Sequence, residues 1–255
     1  MSRVNSAGTV AVVTGANRGI GHAFLSTLLA RGALKVYAGT RSLEAFADLR
    51  ALDPERVVPV QLDITNDEQV ADVAAQAGDV NLLINNACVA LFTPALADDN
   101  LAGARREMEI NYFGTLRVSR AFAKTLASNG GGGIINIVSV LGVQNFPLAS
   151  TYSASKAALH SATQALRFEL SDQETLVVGV YPGPVDTELV AGFQLDKDPP
   201  AFIAESALDA LAEGVEDIYP GAMASGFQAA LRQDPKQLER DVGKMARQIM
   251  AAAVI

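Results

Sequence analysis

Short apolar runs alternate with longer amphipathic stretches through the first half of the chain. Runs at 9–13, 34–38, 57–61, 80–84 and 133–138 are rich in Val and Ile, with apolar residues at successive positions. That pattern fits strands covered on both faces, as a parallel sheet requires. Helical patterns fall between them, near 20–31, 42–50, 66–76 and 98–128. A long helix is expected over 151–170, then a sixth strand over 176–181 and a short strand over 217–219. Strands that alternate with helices imply right-handed crossovers and an open parallel α/β sheet. No repeat or linker interrupts the pattern, and the run of glycines at 130–133 reads as a loop entering the fifth strand. A single domain over 1–255 is expected, closed by a helical tail over 223–253 in which Leu231, Leu238, Val242, Met245 and Ile249 recur at helical spacing. This tail covers a subunit interface or a cleft, or simply packs on the core.

Composition narrows the partners. A chain of 255 residues, 49% of them hydrophobic, can bury a sizeable core. A net charge of −8 without a dense Lys/Arg block disfavours nucleic acid and anionic membrane. Apolar runs are too short for a membrane span or a secretion signal. Cys88 is the only cysteine, and His22 and His160 are the only histidines, so neither a disulfide nor a bound metal is expected. A reducing, cytoplasmic setting is the simplest inference.

Thr14-Gly15-Ala16-Asn17-Arg18-Gly19-Ile20-Gly21 follows the first strand and opens the first helix. Backbone N–H groups and a positive helix end in such a turn can meet a pyrophosphate. Gly15 and Gly19 permit close approach and unusual φ, and Gly21 lets the helix lie near the sheet. The second strand then runs into Thr40-Arg41-Ser42 with no acidic residue. A ribose 2′-hydroxyl is usually met by a carboxylate there and a 2′-phosphate by a cation, so Arg18 and Arg41 favour NADP(H). Asp63, before Ile64 at the end of the third strand, faces an adenine edge or caps the next helix.

Ser139 closes the fifth strand, and Tyr152 and Lys156 stand at i and i+4 on one face of the next helix. Strand C-termini of a parallel sheet border the cofactor crevice, which brings Ser139 there. A lysine ammonium and an oxidised nicotinamide are expected to lower the tyrosine pKa from its usual value near 10. Tyr152 then serves as acid or base on an alcohol oxygen, with Ser139 bonding that oxygen as charge develops. Lys156 also holds the nicotinamide ribose. Asn111 lies at a break between helical patterns, where its amide holds a water leading to Lys156 or caps a helix.

These residues resemble the short-chain dehydrogenase/reductase family in its classical form, over about residues 9 to 190. The family's TGxxxGxG matches Thr14, Gly15, Gly19 and Gly21, and its catalytic set matches Asn111, Ser139, Tyr152 and Lys156. The resemblance implies a single-domain Rossmann-type doubly wound parallel sheet of about seven strands with helices on both faces. It implies metal-free hydride transfer between NAD(P)(H) and a small-molecule carbonyl or alcohol, in a dimer or tetramer. It also implies cofactor contacts for Asn17, Ile20, Ser42, Ile64 and Ala87, and for Pro182, Gly183, Val185 and Thr187 after the sixth strand. Asn85, in Asn85-Asn86-Ala87-Cys88, then lies against the adenosine ribose or in the central sheet. Cys88 stands where the family has glycine; it is strained if φ is positive, and otherwise packs as a small apolar residue or shapes the pocket. By the same resemblance, 186–212 forms a lid over substrate. Leu189 and Phe193 in the lid, with Val140, Leu141 and Phe146 before Tyr152, give an apolar pocket suited to a neutral ketone or aldehyde. Val89, Leu91 and Phe92 are further candidates for that wall.

Overall fold

The computed structural model describes residues 4–97 and 100–252. Residues 98 and 99, at the start of the helix expected over 98–128, and residue 253, at the end of the expected tail, lie outside the described residues. In chain order the elements are β1 (Val10–Thr14), α1 (Gly19–Ala30), β2 (Lys35–Thr40), α2 (Ala45–Leu52), β3 (Val57–Gln61) and α3 (Asp67–Gln76). Next come β4 (Leu82–Asn85), α4 (Ala102–Met108), α5 (Thr115–Ser128), β5 (Gly133–Ile137) and α6 (Ser150–Glu169). The chain closes with β6 (Leu176–Val180), α7 (Pro200–Glu213), β7 (Asp217–Ile218), α8 (Ala222–Gln233) and α9 (Pro235–Ala252). Among the described residues the strands form one parallel sheet in the order β3-β2-β1-β4-β5-β6-β7. The order reverses at β1 and β4, and a crevice opens there at the strand C-termini.

Strand alternation splits the core into two layers. Val13 and Ile84 point to the face covered by Phe24, Leu25 and Leu28 of α1 and Ile203, Leu208 and Leu211 of α7. Val12 and Leu83 point to the other face, under Val70 and Val73 of α3, Val118 and Phe122 of α5 and Leu166 of α6. Apolar residues at consecutive positions are therefore required, because both faces are dry. A buried polar chain crosses the middle of the sheet. Asn85 donates to Ser119 at 3.0 Å and to Asn136 at 2.8 Å, and Asn136 donates to Thr163 at 3.0 Å.

Three expectations change. The helix expected over 98–128 is interrupted by a π-helical turn, Glu109–Gly114, between α4 and α5. Such turns insert a residue without breaking the helix and re-aim side chains. The tail is two helices, because Pro235 lacks the N–H that would continue α8; Asp234 turns extended and caps α9 through Gln237 N–H. Val242 and Ala246 of α9 are buried, whereas Met245 and Ile249 are exposed, and the helix rests on the Pro147–Ala149 turn before α6. Finally, α7 is not part of a lid: its inner face lies in the core against α1. The covering loop is shorter, closed at its base by Asp186 N–H to Asp198 carbonyl and Asp198 N–H to Pro184 carbonyl, each 2.9 Å. No helix among the described residues is long and apolar enough to cross a membrane.

Candidate active site

The glycine turn follows β1 directly. Gly15 and Gly19 have φ of +67° and +55°, values that glycine adopts freely. Gly21 is a contact requirement: a Cβ there would lie 2.1 Å from the Gly15 carbonyl oxygen and 2.5 Å from the Asn86 amide. The turn is tied to the end of β4 through Asn86, whose side-chain amide donates to the Thr14 carbonyl at 2.9 Å. Arg18 is extended, so α1 starts at Gly19 with its first-turn amides facing the crevice.

A cleft of about 590 Å³ opens over this turn. Gly15, Asn17, Arg18, Gly19 and Ile20 form its floor. Arg41 and Ser42 after β2, Asp63 and Ile64 after β3, and Ala87 after β4 form one side. Thr187 and Leu189 close it from the covering loop. Asp63 accepts from Thr65 N–H and Oγ1 at 2.9 and 2.7 Å. Burial tends to raise its carboxyl, but the Thr65 bonds and the nearby Arg41 and Arg106 charges outweigh it and hold the pKa below the usual range. Arg106 and Ile110 also line the cleft, and the sequence pattern did not single them out. Their reach across from α4 and the π-helical turn depends on how that helical stretch docks, and no local spacing signals it. Arg18 is paired with Glu188 of the covering loop, both largely exposed.

Two residues had alternatives, and the structure takes one of each. Asn85 is buried in the sheet network described above, so it takes the sheet alternative; its neighbour Asn86 lines the cleft. Cys88 does not have positive φ, so no strain arises, and it is exposed on the cleft wall instead of packed.

The catalytic candidates converge where β5 ends. Ser139 Oγ accepts Leu141 N–H at 3.1 Å, which caps the short turn Val140–Gly142 and fixes the hydroxyl. Lys156 is 1% exposed; its Nζ donates to the Ile137 carbonyl at 2.8 Å and lies 5.7 Å from the Tyr152 ring centroid. Burial pushes the Lys156 ammonium below its usual pKa. The Tyr152 phenol is raised well above its ordinary value, first by burial and then by the facing Cys88 and Glu107 charges, while Ser139 beside it acts in the lowering direction. The depressed tyrosine expected from the sequence counts the charge of an oxidised nicotinamide as well as that of the lysine. For the protein alone, desolvation of the phenolate outweighs the help of its neighbours.

Asn111 sits in the π-helical turn, fully buried. Its Nδ2 donates to the Val89 carbonyl at 2.8 Å and to Ser155 Oγ at 2.9 Å, and its Oδ1 accepts Val89 N–H at 2.9 Å. Its amide donors are therefore taken, and the side chain ties the wall after β4 to α6 where a water-holding or capping role was expected. Pro182, Gly183 and Val185 follow β6; the Pro182 carbonyl accepts Val140 N–H at 3.2 Å, which links this strand end to the Ser139 turn.

The apolar candidates divide. Val140 is buried, Leu141 and Phe146 are half-buried, and Leu189 and Phe193 are exposed on the covering loop. Phe92 joins the groups: its ring centroid is 5.9 Å from that of Tyr152 and 5.2 Å from that of Phe193.

A glycine turn at the switch point of a doubly wound sheet, with a buried Ser-Tyr-Lys group beside it, defines a dinucleotide-binding oxidoreductase architecture. Comparison with known proteins agrees. Residues 9–198 match the model of the short chain dehydrogenase family. An uncharacterized oxidoreductase of Staphylococcus aureus (strain N315) is 35% identical over 213 residues, 80% of this chain and 91% of the relative. A short chain dehydrogenase from Burkholderia cenocepacia J2315, solved in complex with NADP, is 44% identical, with a TM-score of 0.88 over 93% of this chain and 98% of that one. A short-chain dehydrogenase from Streptomyces avermitilis is 27% identical, with a TM-score of 0.81 over 95% and 99% of the two chains. The chain belongs to the short-chain dehydrogenase family, and is an oxidoreductase of that class.

Proposed function

We propose that this oxidoreductase interconverts a neutral, apolar ketone or aldehyde with its alcohol, using NADP(H), with Tyr152 as the proton donor and acceptor. The observation that carries the proposal is the buried group at the end of β5: Ser139 and Tyr152 side by side, with Lys156 beneath the tyrosine ring.

The cradle fits a dinucleotide, since Gly15 and Gly19 carry positive φ and a Cβ on Gly21 would collide with the turn itself. First-turn amides of α1 would hold the pyrophosphate. Arg18, Arg41 and Ser42 would meet a 2′-phosphate, and Asp63, Ile64 and Ala87 the adenosine. Lys156 and Tyr152 would meet the nicotinamide ribose, and Pro182, Gly183, Val185 and Thr187 the nicotinamide end. The NADP complex of the Burkholderia cenocepacia relative supports the choice of cofactor. When bound, the nicotinamide supplies or accepts the hydride.

The chain's own residues handle the proton. A raised Tyr152 stays protonated through neutral pH, which suits an acid that delivers its proton to a carbonyl oxygen in reduction. Ser139 Oγ accepts Leu141 N–H, which leaves its O–H to donate to the same substrate oxygen. Lys156, held on the Ile137 carbonyl, keeps a cationic donor under the phenol as the proton leaves. Phe92 and Phe193 supply an apolar wall beside Tyr152.

The test is cofactor oxidation followed by absorbance, with NADPH and NADH in parallel, across neutral ketones, aldehydes and charged keto acids. NADPH-dependent turnover on neutral carbonyls that disappears in Tyr152→Phe is expected. Preference for charged keto acids would overturn the substrate class, and tight NADPH binding without turnover on any carbonyl would overturn the reaction.

A further inference from the structure

Glu107 is fully buried on α4, outside the Ser-Tyr-Lys group. Its Oε1 accepts Leu91 N–H at 2.7 Å, and its Oε2 has no hydrogen-bond partner among the described residues. Burying a carboxyl bonded through one oxygen only is costly, so packing alone would be better served by an apolar residue. The geometry around it explains what the carboxyl holds. Glu107 and Asn111 are one helical turn apart and bond alternate amides of the wall, Leu91 and Val89.

Beyond Leu91 the chain enters a left-handed residue. Phe92 has φ of +51°, a conformation that costs a non-glycine residue about 1–2 kcal/mol. On its other side the Thr93 carbonyl accepts Thr151 N–H at 3.4 Å and Thr151 Oγ1 at 3.2 Å, one residue before Tyr152. The strained turn is therefore clamped on both flanks, by Glu107 from α4 and by Thr151 from α6. Its ring is thereby aimed into the gap between Tyr152 and Phe193 of the covering loop.

We propose that Glu107 is a positioning residue: with Thr151 it clamps the Phe92 turn and so sets the aromatic wall against which substrate lies beside Tyr152. The consequence for substrate rests on the carbonyl reading above; the clamp itself does not. Amide exchange, read residue by residue in the full chain, tests the clamp without turnover. Glu107→Leu keeps the bulk and removes the acceptor, and should speed exchange at Leu91 by roughly tenfold, the loss of one hydrogen bond. Glu107→Gln keeps an acceptor oxygen and should restore most of the protection. In steady state, Glu107→Leu should raise the carbonyl KM roughly tenfold, with kcat and NADPH affinity within about threefold of wild type. Unchanged exchange at Leu91 in a folded Glu107→Leu protein would overturn the clamp, and faster exchange with unchanged KM would overturn its role in substrate binding. If Glu107→Leu does not fold, the wild-type protein decides, since an unprotected Leu91 amide would also overturn the clamp. Failure of the wild type on every carbonyl would sink the reading of the previous section and leave the exchange result standing.

Discussion

The buried group at the end of β5 and the cleft over the glycine turn are built on opposite terms. In the group at the end of β5 three polar side chains are buried and tied down: Lys156 to the Ile137 carbonyl, Ser139 to Leu141, and Asn111 to Val89 and Ser155. In the cleft over the glycine turn the Arg18–Glu188 pair stands in water, its side chains 66% and 73% exposed. Burial makes the first rigid and shifts its titrations, because a desolvated charge has no solvent to fall back on. Exposure makes the second adaptable and weakly coupled, because water and salt screen each pair. Chemistry is thus expected to depend steeply on single atoms in the one, and cofactor choice to be graded in the other.

The largest effect should come from the buried group. Tyr152→Phe removes one hydroxyl and is expected to lower kcat by about 10²–10⁴-fold while NADPH affinity, read by fluorescence titration, stays within a few-fold. A loss of affinity equal to the loss of rate would show that the phenol holds the cofactor and does no proton transfer. The raised phenol gives the pH dependence its sign. Alcohol oxidation needs the phenolate, so its kcat/KM should climb about tenfold per pH unit through neutrality, while reduction stays flat there. An oxidation rate that levels off below neutral pH would mean that the loaded site depresses Tyr152 after all.

Gly21→Ala probes the glycine turn itself. The new methyl meets the Gly15 carbonyl and the Asn86 amide, and a loss of roughly 1–3 kcal/mol in urea unfolding is expected together with weaker cofactor binding. A stable variant with normal binding would show that the turn yields more readily than its contacts suggest. Further out, Arg41→Ala should weaken NADPH binding roughly tenfold and NADH hardly at all, with the difference shrinking at high salt. Equal losses for both cofactors would take Arg41 away from the 2′-phosphate. The smallest effect belongs to Glu188→Gln, which opens an exposed ion pair and should change unfolding free energy by less than about 1 kcal/mol. A larger change would make the covering loop part of the stable core.

Legibility followed local chemistry. The strand over 57–61 was predicted to the residue, because Val57, Val58 and Val60 put apolar side chains on both faces, as a covered parallel strand requires. The break near Asn111 was visible too, but its form was not: Gly114 at the end of the π-helical turn lies against Ile64 after β3, a contact remote in sequence. Arg106 and Glu107 were missed because their roles require α4 to dock across the ends of other strands. The readings left open for Cys88 were separated only by backbone direction after β4, which turns it to the cleft wall.

The sequence by itself determined the parallel sheet, the glycine turn and the pairing of Tyr152 with Lys156 on one helical face, since strand alternation, glycine's free φ and the helical repeat act over a few residues. Only the tertiary structure decided how far the Tyr152 phenol is desolvated, that the Asn111 amide is spent on Val89 and Ser155, that α7 belongs to the core, and that Glu107 and Thr151 clamp the Phe92 turn. Desolvation and side-chain partnership are set by neighbours from distant parts of the chain, and no local pattern records them.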